Sequence, residues 1–177
     1  DGNLWIREEG TPSGLGAGIV RVTPSGVATY IPAAVATLGS SAGIAGGPDG
    51  NVWFIGTDAI GRITPAGLVT EFTTGIAPGS RPLGITAGRD GALWFASSAD
   101  PGAIGRITTA GLVTTFSTPT ANSAPTAVTA GADGNIWFTE RTAGRIGRIT
   151  VAPWVTPGTA GALTVSAATV TASVTPN

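Results

Sequence analysis

Residues 52–55, Val-Trp-Phe-Ile, are apolar at every position. On an extended strand neighbouring side chains point to opposite faces. Both faces of this strand are therefore apolar, and both must be covered. An Asp-Gly pair stands just ahead of it, at Asp49 and Gly50, and Pro65, Ala66 and Gly67 follow the next apolar run. Both are turn signals, because Gly accepts the positive φ that tight hairpins require. Before the Asp-Gly pair lies a run of small residues that includes Gly43, Ala45 and Gly46. The pattern predicts four short antiparallel strands separated by tight turns.

The unit recurs. D-G-N-L-W-I begins at Asp1, D-G-N-V-W-F at Asp49, D-G-A-L-W-F at Asp90 and D-G-N-I-W-F at Asp133, each at the second strand of its repeat. The tryptophans Trp5, Trp53, Trp94 and Trp137 are 48, 41 and 43 residues apart. A second motif follows each, I-V-R-V-T ending at Thr23 and I-G-R-I-T ending at Thr64, Thr108 and Thr150. A third motif, P-S-G-V-A-T, P-A-G-L-V-T or T-A-G-L-V-T, follows in the first three copies. A period of about 42 residues, with four strands and two covered faces per unit, predicts an all-β fold of stacked β-propeller blades, about 3.5–4 of them. A two-layer sandwich would instead alternate apolar and polar residues. The small-residue strand is expected innermost, where blades crowd around the axis. The tryptophans are expected as core between blades. The repeat arginines, Arg21, Arg62, Arg106 and Arg148, are expected in structural pairing with an Asp of a hairpin turn.

Loop lengths separate scaffold from variable surface. Asp to Trp is always 4 residues, and motif Arg to the following turn Gly is always 5. Only Trp to motif Arg varies: 16, 9, 12 and 11 residues. The variation falls in the loop joining the second and third strands, on the rim that also carries the blade-to-blade connections. Loops vary in function over a fixed scaffold, so this rim is the candidate binding surface, at residues 8–18, 56–59, 97–103 and 140–145. Its charged residues are Glu8, Glu9, Asp58, Asp100, Glu140, Arg141 and Arg145. Simple drift of surface loops explains the same variation.

Composition narrows the possibilities. Of 177 residues, 42% are hydrophobic and 11% charged, a globular balance. The formal net charge is −1, and all nine basic residues are Arg, so no basic footprint for nucleic acid is visible. Cys is absent, which excludes disulfides. No apolar run approaches the length of a membrane span. Lys, His and Met are absent too, and the chain begins in mid-motif at Asp1. The N-terminus is therefore expected to have been cut or lost, leaving any leader peptide unread. The missing Lys, with abundant Ala, Gly and Thr, suits a GC-rich bacterial genome.

Two runs carry a family resemblance: G-x-D-G-N-x-W-F-T-E, here ending at Glu140, and I-G-R-I-T-P-x-G-x-V-T-E-F, here residues 60–72. They resemble the virginiamycin B lyase (streptogramin lyase) family, over residues 1 to about 156. The resemblance implies a seven-bladed ring, of which this chain would be an incomplete arc. It also implies an enzyme that linearises cyclic depsipeptide antibiotics, opening the ester bond by elimination with Mg²⁺ and a catalytic His. Elimination needs a base for the proton next to a carbonyl, and a cation suits the developing enolate. This chain has no His, so the family's base has no counterpart. Glu8 and Glu140 stand three residues after a blade Trp, where the family often has Glu. Glu140 is the candidate base, and Glu8 and Glu140 are candidate Mg²⁺ ligands. Against this stands the plainer reading of solvated loop charges. Sugar-lactone lactonases and other propeller repeats share the Asp-Gly hairpin but not the recurring I-G-R-I-T.

Residues 1–156 are read as blade repeats, and residues 157–177 as a linker followed by a strand. Trp154, Val155 and Thr156 take the register of Leu68, Val69 and Thr70, which predicts the outer strand of the fourth blade. Residues 157–161 read as a linker. Val170, Ala172 and Val174 alternate with Thr171, Ser173 and Thr175, a half-buried strand. That strand opens an immunoglobulin- or fibronectin-like module or closes the first blade as its inner strand. The functional expectation is a non-catalytic binding or scaffolding segment of a secreted or cell-surface bacterial protein, with no cofactor evident. Its partner would be a small molecule, a glycan or a protein on the variable rim, beside further blades and C-terminal modules of the same chain. The alternative is a fragment of a Mg²⁺-dependent carbon–oxygen lyase whose catalytic blades lie outside this chain.

Overall fold

A computed structural model describes residues 1–8, 17–32, 43–99 and 101–152, and the backbone of residues 170–173. Glu9, Asp100 and residues 154–161 lie outside the described residues. The described chain is all strand and turn, in four antiparallel sheets. No helix is long and apolar enough to cross a membrane among the described residues.

The first sheet holds β1 (Leu4–Glu8), β2 (Gly18–Val22) and β3 (Ala28–Pro32), and the second β4 (Ile44–Gly46), β5 (Val52–Gly56), β6 (Ala59–Ile63) and β7 (Val69–Phe72). The third holds β8 (Pro82–Ala87), β9 (Ala92–Ser97), β10 (Ala103–Thr108) and β11 (Val113–Ser117). The fourth holds β12 (Pro125–Ala130), β13 (Ile136–Glu140), β14 (Arg145–Ile149) and β15 (Val170–Ser173). Strands pair in chain order, so each sheet is one up-and-down blade. The fourth blade differs from the sequence reading: its outer place, beside β14, is taken by β15, with Ile149 opposite Val170. The strand predicted as part of a following module, or as the closing strand of the first blade, is thus the outer strand of the fourth.

Turn chemistry sets the strand ends. Gly50, Gly91 and Gly134 of the Asp-Gly pairs all have positive φ, as do Gly26, Gly67 and Gly111 of the next turn. The small inner strands lie almost against one another. Gly43 N donates to Leu83 O at 2.9 Å, from one blade to the next. A Cβ at Gly43 would come within 2.8 Å of the Ile85 backbone nitrogen. Only Gly allows backbones to approach this closely.

The core lies in the three joints between blades. Ile19, Phe54 and Ile63 pack the first joint. Trp53, Ile55 and Ile60 meet Leu93, Phe95 and Ile107 in the second. Trp94, Ala96 and Ile104 meet Ile136, Phe138 and Ile149 in the third. Each blade thus has a front face carrying its Trp and a back face that, in the second to fourth blades, carries a Phe. Phe54 lies opposite Gly61, Phe95 opposite Gly105 and Phe138 opposite Gly147. The ring fills the space above the glycine: a Cβ at Gly105 would lie 2.0 Å from Phe95 Cζ. The first blade uses Ile6 opposite Val20 in the same place.

Candidate functional site

The Asp of each hairpin turn is the pivot of its blade. Trp53 Nε1 donates to Asp49 Oδ1 at 3.0 Å, and Asn51 caps both carboxylate oxygens through its backbone and side-chain nitrogens. Asp1 and Asp133 repeat this with Asn3 and Trp5, and with Asn135 and Trp137. Burial pushes the Asp49 carboxyl up, but the bonds from Trp53 and Asn51 outweigh it and hold the group below its ordinary 3.8. Asp133, held mainly by Asn135, is lowered as well. Trp53 and Trp94 are buried, stacked on Phe72 and Phe116. The guanidinium groups of Arg21, Arg62, Arg106 and Arg148 lie 5.6–6.0 Å over the rings of Trp5, Trp53, Trp94 and Trp137.

The arginines do more than pair with the turn Asp. Arg21 donates to Pro65 O at 2.6 Å, and Arg62 to Thr109 O at 2.9 Å. Each crosses to the same turn carbonyl of the next blade. The third joint departs from this rule. Ala92 replaces the capping Asn, so Asp90 Oδ2 is open, and Arg106 Nε turns back onto it at 2.6 Å. Arg89 takes over the crossing, donating to Val151 O, the equivalent carbonyl, at 3.0 Å. Sequence reasoning missed Arg89, although a charge where the other repeats carry Pro48 and Ala132 was a visible signal.

The variable loops of the second, third and fourth blades lie between the second and third strands, on one rim with the blade connections; residues 9–16 of the first lie outside the described residues. Asp58 is not a free rim charge. In a two-residue turn with φ 50°, it accepts Gly79 N at 2.7 Å and Arg81 N at 3.3 Å, tying the hairpin to the connection between blades two and three. Beside it, a cavity of about 300 Å³ is lined by Ile76, Ser80, Phe95, Ser97, Pro101 and Thr115, among others. Glu8 is half-buried at the end of β1, and Arg141 and Arg145 are exposed at the fourth-blade hairpin.

Glu140 is fully buried, not solvated. Its Oε2 accepts from Thr120 Oγ1 at 2.9 Å, whereas Oε1 is buried without a hydrogen-bond partner among the described residues. In the same connection Thr118 Oγ1 and Ser123 Oγ are 2.7 Å apart. The polar run of residues 118–123 was the signal for this cluster. Among the described residues no three His, Cys, Asp or Glu side chains come together. One buried carboxylate braced by a threonine does not fit a divalent cation, which requires several oxygen ligands. The rim candidates are therefore spread over separate blades, with Glu140 and Asp58 committed to internal bonds.

The sequence pattern of the Virginiamycin B lyase family matches residues 1–167. The chain belongs to this family. Its fold is shared with a crystal structure of virginiamycin B lyase from Staphylococcus aureus, at 42% identity and a TM-score of 0.69, over 82% of this chain and 51% of that one. A streptogramin B lyase structure matches at 38% identity and a TM-score of 0.73, over 84% of this chain and 48% of that one. The chain thus spans about half the length of these lyases. A Bacteroides caccae protein of unknown function shares the fold alone, at 19% identity and a TM-score of 0.52, over 76% of this chain and 50% of that one. No curated protein matches.

Proposed function

We propose that this member of the virginiamycin B lyase family is a non-catalytic propeller segment that binds or scaffolds through its variable rim. One observation carries the reading: the chain contains no His. A histidine-to-alanine variant of virginiamycin B lyase from Staphylococcus aureus, solved with quinupristin, is described as catalytically inactive, and it matches this chain at 42% identity. No histidine stands within these 177 residues to fill that role. Glu140 is a poor substitute base, because one oxygen is held by Thr120 and the carboxylate lies inside the blade rather than facing a substrate. The rim keeps what a binding surface needs: exposed Arg141 and Arg145 and the cavity beside Ser80 and Ser97. A small molecule, glycan or protein meeting this rim in a secreted or cell-surface setting fits that equipment.

The second reading is that the chain supplies blades to a working lyase whose histidine lies elsewhere, favoured by 38–42% identity to such enzymes. One experiment tests the non-catalytic reading. The 177-residue chain is incubated with quinupristin and Mg²⁺, and the antibiotic is followed by mass spectrometry. No linear product above a buffer blank is expected. Mg²⁺-dependent opening would sink the non-catalytic reading, and its loss in Glu140→Gln would assign the base.

A further inference from the structure

The connections that lead into the third and fourth blades end alike. Each reaches its inner strand through two residues of positive φ, Gly79 and Arg81 in one, Asn122 and Ala124 in the other. A serine stands between each pair, Ser80 and Ser123, and a proline follows, Pro82 and Pro125. In the fourth blade hydroxyls and a carboxylate occupy the space beneath. Ser123 Oγ is hydrogen-bonded to Thr118 Oγ1 at 2.7 Å, and Thr120 Oγ1 donates to the buried Glu140. In the third blade smaller residues stand in those places. Counted back from the serine, Gly75 and Ala77 stand where the fourth blade has Thr118 and Thr120. Ser97, three residues after Trp94, stands where the fourth blade has Glu140. The cavity of about 300 Å³ lies among these smaller residues.

The groups left behind define a ligand. Ser80 Oγ is buried and has no hydrogen-bond partner among the described residues, whereas its counterpart Ser123 has Thr118. Buried hydroxyls in folded proteins are normally paired. Ser97 Oγ gives its one hydrogen to Ser80 O at 2.8 Å, which leaves it only as an acceptor. Phe95 and Thr115 both lie opposite Gly105, and Ser97 lies opposite Ala103, so all four side-chain positions share the back face of the blade. Phe95 and the buried Ile76 make an apolar floor. Among the described residues no charged side chain lines the cavity.

We propose that this cavity binds a small uncharged amide that carries an apolar ring. The amide oxygen accepts from Ser80 Oγ, its N–H donates to Ser97 Oγ, and the ring rests on Phe95 and Ile76. A carboxylate has no hydrogen for Ser97, and an ammonium has no acceptor for Ser80. Either would be an unpaired charge between uncharged walls. A sugar carries more hydroxyls than two serines and Thr115 can satisfy. The inference rests on the reading of the rim as a binding surface, and it narrows the occupant to a small molecule.

The test is a titration of the 177-residue chain with benzamide, followed through the backbone amide resonances by NMR. Saturable shifts are expected within residues 75–80 and 95–103, with a dissociation constant of about 1 mM, the strength usual for so small a ligand. Benzoate, benzylamine and methyl glucoside should each bind at least about tenfold more weakly. Ser80→Ala should weaken benzamide about fivefold, the loss of one neutral hydrogen bond, without lowering the urea midpoint. Ala77→Thr with Ser97→Glu copies the fourth blade and should abolish binding; should this pair misfold, Ser80→Ala decides. No saturable shift at any residue overturns the site. Shifts centred on Arg141 and Arg145 overturn the cavity and keep the rim. Benzoate, benzylamine or the glucoside binding as well as benzamide overturns the ligand class, and an unchanged affinity in Ser80→Ala overturns the assigned contact. The titration involves no turnover, so a chain that opened quinupristin would sink the non-catalytic reading and leave this result standing.

Discussion

The aspartates of the hairpin turns make the blades sensitive to acid. Asp49 binds its proton less readily folded than unfolded, because Trp53 and Asn51 donate to the ionised form. Its contribution is therefore complete above the ordinary aspartate value of 3.8 and is lost as the pH falls through the lowered folded value. Thermal melts between pH 7 and pH 2 should show a falling midpoint below about pH 4, and Asp49→Asn should flatten that fall. A midpoint that drops equally in the variant would remove Asp49 from the account. Packing at single residues is as exacting. Gly105→Ala drives a methyl into the Phe95 ring and should cost about 1–3 kcal/mol by urea denaturation. Phe95→Ile with Gly105→Val copies the first-blade pair of Ile6 and Val20. It should cost less than the sum of its single changes, since contacting residues couple.

At the level of strands and loops, Asp58 is the clearest brace. Asp58→Ala removes both acceptors from Gly79 and Arg81. Amide exchange at these two residues should quicken, with about 1–2 kcal/mol of local stability lost; unchanged exchange would mean that the connection holds itself. Arg89→Ala should cost about 1 kcal/mol, a charged hydrogen bond discounted for its exposed position. Much of this scaffold was legible because its signals are local. Asp-Gly, Pro-x-Gly and the runs around Trp53 mark turns and doubly covered strands without reference to distant residues. The fourth outer strand was not legible. Residues 154–156 and Val170–Ser173 both read as short strands ending on a hydroxyl residue, and only long-range pairing with β14 chooses between them. The joint bonds were also hidden, because an arginine that donates to a backbone carbonyl leaves no partner letter in the sequence. Glu140 read as a rim charge because it ends a strand; its burial comes from the connection folded over it at Thr120.

For the molecule as a whole, stability resides in the joints, so a lesion in one joint should release one blade rather than soften all of them. Trp94 fills the third joint, and Trp94→Ala should cost about 3–5 kcal/mol. The variant should unfold in two steps, the fourth blade first, seen as separated transitions by fluorescence and circular dichroism. A single transition shifted as a unit would show that the blades unfold together. The crossing arginines have a consequence for how such chains change over time. Their acceptors stand at Pro65, Thr109 and Val151, three unlike side chains offering the same backbone oxygen. A blade that is recognised through its backbone sets no demand on its neighbour's side chain at that point. Repeats joined this way can be duplicated, exchanged or dropped by recombination without a matching substitution across the new seam.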